Sequence, residues 1–292
     1  MKTITFFNEK GGVGKSTFAI MYASWLKYKH GVKVAIADFN DRITDYRAKE
    51  VFERERLIKD NPDIKPYDEK NAWPIVRALL SEIEEHKKTN LDFPYAVWLR
   101  YETIRNRLKG YDVIICDFPG SLTSGEYSQI RNCNLLNLTV IPLENETMTI
   151  KSTYMVKELL EGGNDRYCIF LNRTKVNFAN LRAREIKFAK LVMEKLGFRM
   201  LPDMVSYSDR MMTIDKPDIL RNTFDFPDFD SPAFKGGRDL GIENLFIDVT
   251  RLLAEGKDIP RTGEADLSFV KSLRKTWDNR QFTGSSFPEF EI

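Results

Sequence analysis

The sequence predicts an α/β fold with a mostly parallel sheet flanked by helices on both faces, and three observations carry that expectation. Short apolar runs recur along the chain, helical periodicity separates several of them, and two of the runs end on an aspartate. The first run, Ile4 to Phe7, stops at a glycine-rich loop, after which Phe18, Tyr22 and Leu26 stand four residues apart, as on one helix face. That stretch reads as strand, loop, helix. Gly31 punctuates the chain before Val34 to Ala37, a second buried strand that ends on Asp38. Val113 to Cys116, Leu138 to Ile141 and Cys168 to Leu171 read as further buried strands. Ile150, Val156, Leu159 and Leu160 suit a helix closed by Gly162 and Gly163, and a second helical pattern runs from Leu181 to Leu196. A late helix is expected near Ile242 to Leu253, after a loop at 222–238 that is rich in turn-forming residues.

Residues 1–258 read as one domain. Between 41 and 110 the composition turns charged and helical with weak strand signal, which reads as an insertion on the edge of that domain. Residues 259–292 form a tail in which Phe269, Leu273 and Trp277 recur at helical spacing among Lys271, Arg274, Lys275 and Arg280. The 45 Lys and Arg against 43 Asp and Glu leave a net charge of +2, so any binding to nucleic acid or anionic lipid needs a local patch. The start MKTITFFNEKGG lacks the apolar core of a signal peptide, and no run is long enough to span a bilayer, so a soluble, cytoplasmic protein is expected. Three cysteines without close pairing or metal-ligand spacing agree with a reducing compartment, and Cys116 and Cys168 fall in apolar runs as core residues.

The loop after the first strand carries the chemistry. A triphosphate needs backbone N–H groups aimed inward at close range, and Gly11, Gly12 and Gly14, with Val13 between them, let the chain approach without Cβ clashes. Lys15 adds a point charge at the β- and γ-phosphates. Ser16 follows at the position whose hydroxyl joins a Mg²⁺ shell, and Thr17 is expected to begin a helix whose positive end faces the phosphates. Mg²⁺ wants few protein ligands and several waters, and Asp117, at the end of its strand, supplies a carboxylate beside that shell. ATP and Mg²⁺ are therefore the expected cofactors of a P-loop NTPase.

The stretch NEKGGVGKST at Asn8 to Thr17 resembles the deviant Walker A loop of ParA/MinD ATPases, in which an added lysine, here Lys10, marks the family. VAIADFND at Val34 to Asp41 is similar to the family's next motif, and YDVIICDFPGS at Tyr111 to Ser121 to its Walker B and switch II. NLTVIPLENE and CIFLNRTK follow in family order, so the resemblance spans roughly residues 1–255. It implies an ATP-dependent homodimer in which Lys10 crosses to the partner's nucleotide, much as an arginine finger does. It also implies catalytic roles for Lys10, Lys15, Asp38 and Asn40, and places Asp38 with Ser16 and Asp117 around the metal. Asn172 and Arg173 are implied adenine contacts, with Pro202 and Asp203 as further adenine-pocket candidates. A strand-end turn residue is the plain alternative for Asn172.

One departure stands out. Where the family commonly reads Asp-x-Asp-Pro, this chain reads Asp38-Phe39-Asn40-Asp41, and an amide holds a water without being able to accept its proton. Slow intrinsic hydrolysis is the expectation, unless Asp41 or Asp45 takes the role. The resemblance further implies an activating partner protein and a surface to hold, most often nonspecific DNA, in the service of partition by a plasmid or conjugative element. Arg182, Arg184, Lys187, Lys190 and Lys195, with Arg199 beyond, form a candidate cationic stripe, although a solvated helix face fits the same residues. A MinD-like membrane role for the helix at 265–280 is disfavoured, because the acidic QFTGSSFPEFEI follows it. An iron–sulfur cluster is disfavoured too, since no Cys-x-x-Cys exists and Cys133 lies well beyond Asp117. Lys10 argues against a small-molecule ligase of the same fold.

Overall fold

The computed structural model describes residues 1–77, 102, 104–120, 136–144, 146–161, 166–174, 187, 191, 194–206 and 241–256. In chain order its elements are β1 (Lys2–Phe6), α1 (Lys15–Ser24), β2 (Val34–Asp38), α2 (Arg42–Asp60), β3 (Ile75–Arg77), β4 (Val113–Asp117), β5 (Leu138–Glu144), α3 (Thr147–Glu161), β6 (Tyr167–Thr174), β7 (Met200–Ser206) and α4 (Ile242–Glu255). The strands form one seven-stranded sheet in the order β3-β2-β4-β1-β5-β6-β7, and every neighbouring pair is parallel. The five strands expected from apolar runs are all present. β1 lies in the middle, with β2 reached on one side and β5 on the other, so the chain order reverses there and leaves a crevice at the strands' carboxyl ends.

Alternation along the strands sorts side chains to two cores. Ile4, Phe6, Val34, Ile36, Val113 and Ile115 face α1 and α4, whereas Ala35, Ala37, Ile114 and Cys116 face the layer that contains Ile150, Tyr154 and Leu160 of α3. Burial on both sides is why these strands read as continuous apolar runs. Aromatic rings fix α1 beneath the sheet: Phe18 meets Phe170 edge-on at 4.9 Å, and Tyr22 lies 5.1 Å from Phe246 of α4. The Tyr22 hydroxyl and Thr250 Oγ1 share a 2.8 Å hydrogen bond, which satisfies the polar tip of a buried ring. After Ser24 the helix continues through a π-helical turn, Trp25–Lys29, and the chain turns at Gly31.

The segment 41–110 contains the charged helix expected of it, α2, but also the edge strand β3, for which the composition carried little signal. Three residues are too short for a periodic pattern, and Pro74 precedes them. β3 is placed instead by its neighbour Trp73, which is fully buried, donates its indole N–H to Ser24 Oγ at 3.0 Å and lies under the Arg47 guanidinium at 4.8 Å. α2 buries Ile43, and its buried Glu50 and Arg54 pair at 2.7 Å, with the Arg54 guanidinium over Tyr67. α4 begins at Ile242 as expected and ends where Gly256 takes a left-handed φ of 70°. Gly162, Gly163, Cys133, the loop at 222–238 and the tail at 259–292 lie outside the described residues, as does most of the helical pattern at 181–196. Cys116 and Cys168 are buried core residues, as the sequence indicates.

Candidate nucleotide-binding site

The loop between β1 and α1 closes on Gly14, whose φ of 90° is left-handed and whose missing Cβ would stand 3.1 Å from the Phe18 ring. Glycine is required there on both counts. The Gly14 carbonyl accepts the Phe18 N–H at 2.9 Å, so α1 starts at Lys15, two residues earlier than the sequence suggests. Its first amides thus face the loop. Lys15 is buried, and its ammonium donates to the Lys10 carbonyl at 2.8 Å. Burial pulls its pKa down to about 8; the nearby Arg42 cation adds to that and Asp117 opposes it. An ammonium held away from water in this way is stabilised by an arriving phosphate. A Cβ on Gly120 would come within 2.8 Å of Lys15 Nζ, so the Walker B turn is shaped around this lysine.

β2 and β4 end side by side, with Asp38 paired in register with Asp117. The Ser16 hydroxyl lies 2.8 and 3.1 Å from the two Asp117 oxygens, linking α1 to β4. Burial pushes Asp117 up to about 7, and the Asp38 charge pushes the same way; the Ser16 hydrogen bond, Lys15 and Arg42 act against it. A second cation is what would hold this carboxylate ionised at neutral pH. Asp38, also buried, accepts from the Thr44 N–H and hydroxyl at 2.8 Å each and from the Asn40 N–H at 3.2 Å, so it anchors the start of α2. Ser16, Asp38 and Asp117 are hard oxygen donors, few in number and set beside a phosphate loop. They fit Mg²⁺ held partly by phosphate and water.

A model of the AAA domain family matches residues 1–161, more than half of the 292-residue chain. The chain belongs to the AAA domain family. No curated protein sequence matches it, but solved structures do. The MinD cell division protein of Aquifex aeolicus is 18% identical, with a TM-score of 0.54, covering 89% of this chain and 99% of that one. McdA from Cyanothece, solved with ATP, is 17% identical with a TM-score of 0.57, over 87% of this chain and 96% of its own. A putative plasmid partition protein from Borrelia burgdorferi bound to AMPPNP is 18% identical with a TM-score of 0.51, over 85% and 98%. The fold of this AAA domain is that of the MinD and ParA P-loop ATPases, as the resemblance of its motifs implied, and it is an ATPase.

The remaining expected residues of this AAA domain distribute unevenly. Lys10 lies on the loop, and its ammonium pairs with Glu146 and, at 3.8 Å, with Glu144 of its own chain. Asn40 has both ends of its amide engaged: Oδ1 accepts the Arg42 N–H at 2.8 Å, and Nδ2 reaches Asp117 Oδ2 at 3.4 Å. Asp41 is not poised to replace it, because its carboxylate forms two 2.7 Å hydrogen bonds with Arg77 at the end of β3. Asp45 sits in the first turn of α2, exposed. Asn172, paired in register with Glu144, donates to the Val13 carbonyl at 3.1 Å and so braces the loop from β6. Arg173 and Asp203 belong to β6 and β7, with side chains outside the described residues, and Pro202 is exposed on β7. Of the cationic stripe, Lys187 is exposed on a helix, Arg182, Arg184 and Lys190 lie outside the described residues, and the Arg199 guanidinium sits over the Tyr167 ring. No helix among the described residues is long and apolar enough to cross a membrane.

Asn8, Arg42 and Gly120 were not singled out by sequence. Asn8 is fully buried: its Nδ2 donates to the Pro142 carbonyl and Thr153 Oγ1 at 3.0 and 2.9 Å, and its Oδ1 accepts from the Lys10 N–H and the Ser152 hydroxyl. Its position just ahead of Lys10 was the available signal. For Arg42 the signal was a cation directly after the Asp38-to-Asp41 motif.

Proposed function

We propose that this chain is an ATP-driven switch that positions DNA or another cargo, cycling between a monomer and an ATP-bound homodimer. The observation that carries the reading is Lys10, a second lysine on the phosphate loop beyond the one that faces the nucleotide. In the monomer it rests on Glu144 and Glu146, and in the dimer it crosses to the partner's phosphates. The names of the structural relatives support this: a cell division protein, one of its forms in complex with MinC, and a plasmid partition protein. Partition of a plasmid or conjugative element is the form of the switch that fits them, with a separate protein that stimulates hydrolysis.

Within the site, Lys15 and the first amides of α1 hold the β- and γ-phosphates, and Ser16, Asp38 and Asp117 hold Mg²⁺, which supplies charge neutralisation on the phosphates. Asn172, Arg173, Pro202 and Asp203 contribute the adenine pocket. Asn40 stands where a carboxylate would accept the attacking water's proton, and an amide cannot, so intrinsic hydrolysis is slow and the ATP dimer long-lived. The helix bearing Arg182, Arg184, Lys187 and Lys190 meets DNA phosphates. Residues 1–258 act as the ATPase domain, with the segment at 41–110 and the tail at 259–292 as its additions.

Retention of the purified protein on nonspecific duplex DNA, with ATP and with ADP across a salt series, tests this. The reading expects binding that requires ATP and weakens steeply with salt. Absence of binding under both nucleotides would sink the DNA-carrier role.

A further inference from the structure

We propose that Glu146, with Glu144 behind it, is a positioning residue for Lys10: a latch in the same chain that keeps the ammonium from the partner's nucleotide until a triphosphate draws it away. The inference rests on the reading of Lys10 as a residue that crosses the dimer, and adds what holds it back.

The loop leaves Lys10 with one movable part. Its backbone N–H donates to Asn8 Oδ1 at 3.0 Å and its carbonyl accepts from the Lys15 ammonium at 2.8 Å, so the peptide units on both sides are clamped. Asn8 in turn is fully buried and tied to Pro142 and Thr153. Only the four-carbon side chain of Lys10 is free to swing. Its ammonium pairs with Glu146 and stands 3.8 Å from Glu144.

The acceptors are fixed as well. Glu144 closes β5 and is buried, and the Glu146 N–H donates to its carbonyl at 2.8 Å. The Glu146 carbonyl accepts the Ile150 N–H at 2.9 Å, which sets Glu146 at the amino end of α3. A carboxylate is favoured at that end of a helix, so it stays when the ammonium moves. Two carboxylates face one ammonium, and withdrawing Lys10 leaves two like charges near each other with no cation between them. Crossing therefore has a cost before the partner's phosphates are counted, and each dimer meets it twice, once per Lys10. The more negative the partner's nucleotide, the more readily it draws Lys10 off, which ties the dimer to ATP over ADP.

Sedimentation velocity with AMPPNP across a range of protein concentrations, on wild type, Glu146→Gln, Lys10→Ala and the double variant, tests the latch. Glu146 is exposed and glutamine keeps its shape, so the variant folds. An exposed ion pair changes an equilibrium by up to about fivefold, and two latches open per dimer, so Glu146→Gln is expected to tighten the dimer roughly two- to twentyfold. The gain should shrink in high salt, which screens the pair. In the Lys10→Ala background Glu146→Gln should bring no gain, whether that background dimerises or not, because nothing is left to hold. A dimer that is unchanged or weaker in Glu146→Gln, or an equal gain without Lys10, overturns the latch. Wild type that stays monomeric with AMPPNP overturns the switch and the latch together, whereas a wild-type dimer beside an unresponsive Glu146→Gln variant removes the latch alone.

Discussion

The phosphate loop is held on two sides by different chemistry. Toward α3, Asn8 ties the loop to Pro142, Ser152 and Thr153 through buried hydrogen bonds between uncharged groups. Toward α2, the ties run through the carboxylates Asp38 and Asp117 to Ser16, Thr44 and Asn40. Neutral bonds fix position and add almost no field, so the α3 side acts as a rigid mount. The buried carboxylates carry charge that burial opposes, so on the proposed reading the α2 side is the part whose energy would change when nucleotide and metal bind.

The sharpest way to break this division is Lys15→Ala, which should cut ATP hydrolysis by about a hundredfold or more while leaving the protein folded. Burial holds the Lys15 ammonium near 8, below its ordinary 10.5, so the unfolded chain binds that proton more tightly. The resulting penalty is present in full below about pH 8 and is relieved as pH rises from there toward 10.5. The variant's urea midpoint at pH 7 should therefore equal or exceed that of wild type, and the gap should close between pH 8 and 10. A variant that unfolds would place Lys15 among the structural residues.

Asn8→Ala tests the other side. Losing a fully buried amide with four partners should cost about 2–4 kcal/mol in chemical denaturation, since the partners left behind stay buried. A loss well under 1 kcal/mol would mean that the α3 mount is redundant. Asn40→Asp should have a smaller and opposite pair of effects. Hydrolysis should rise, because a carboxylate now accepts the water's proton, while the nucleotide-free protein loses about 1 kcal/mol by setting another carboxylate against Asp117 without a donor. An unchanged or lower rate removes the argument for slow turnover. Arg77→Ala should have the least effect, within about 1 kcal/mol, because its paired bonds to Asp41 are solvent-exposed. A large loss of activity there would make β3 part of the switch.

How far the sequence revealed this follows from the range of each interaction. Glycines 11, 12 and 14, Lys15, Ser16 and the strand-ending Asp38 and Asp117 are legible because their spacing along the chain is their geometry. β1, β2, β4, β5 and β6 are legible because burial on both faces leaves an apolar run, whereas β7, Met200–Ser206, is interrupted by Pro202 and Asp203 and is not expected as a strand. β3 is not legible, because Trp73 packing on Ser24 decides it and nothing within Ile75–Arg77 does. Asp41 looked available for catalysis until β3 brought Arg77 beside it. Asn172 looked like an adenine contact, and the fold gives its amide a bond to the loop backbone as well. In each case a partner distant in sequence sets the role, and periodicity does not reach that far.

Gly120 offers a different kind of handle. A single added methyl there would land 2.8 Å from the Lys15 ammonium, the mobile end of a long side chain, and 3.2 Å from the Glu9 carbonyl, so it would displace that ammonium by shape alone, with every charge and every hydrogen-bonding group retained. A wedge of that kind moves the lysine without removing its charge, and so separates where that ammonium stands from the fact that it is there.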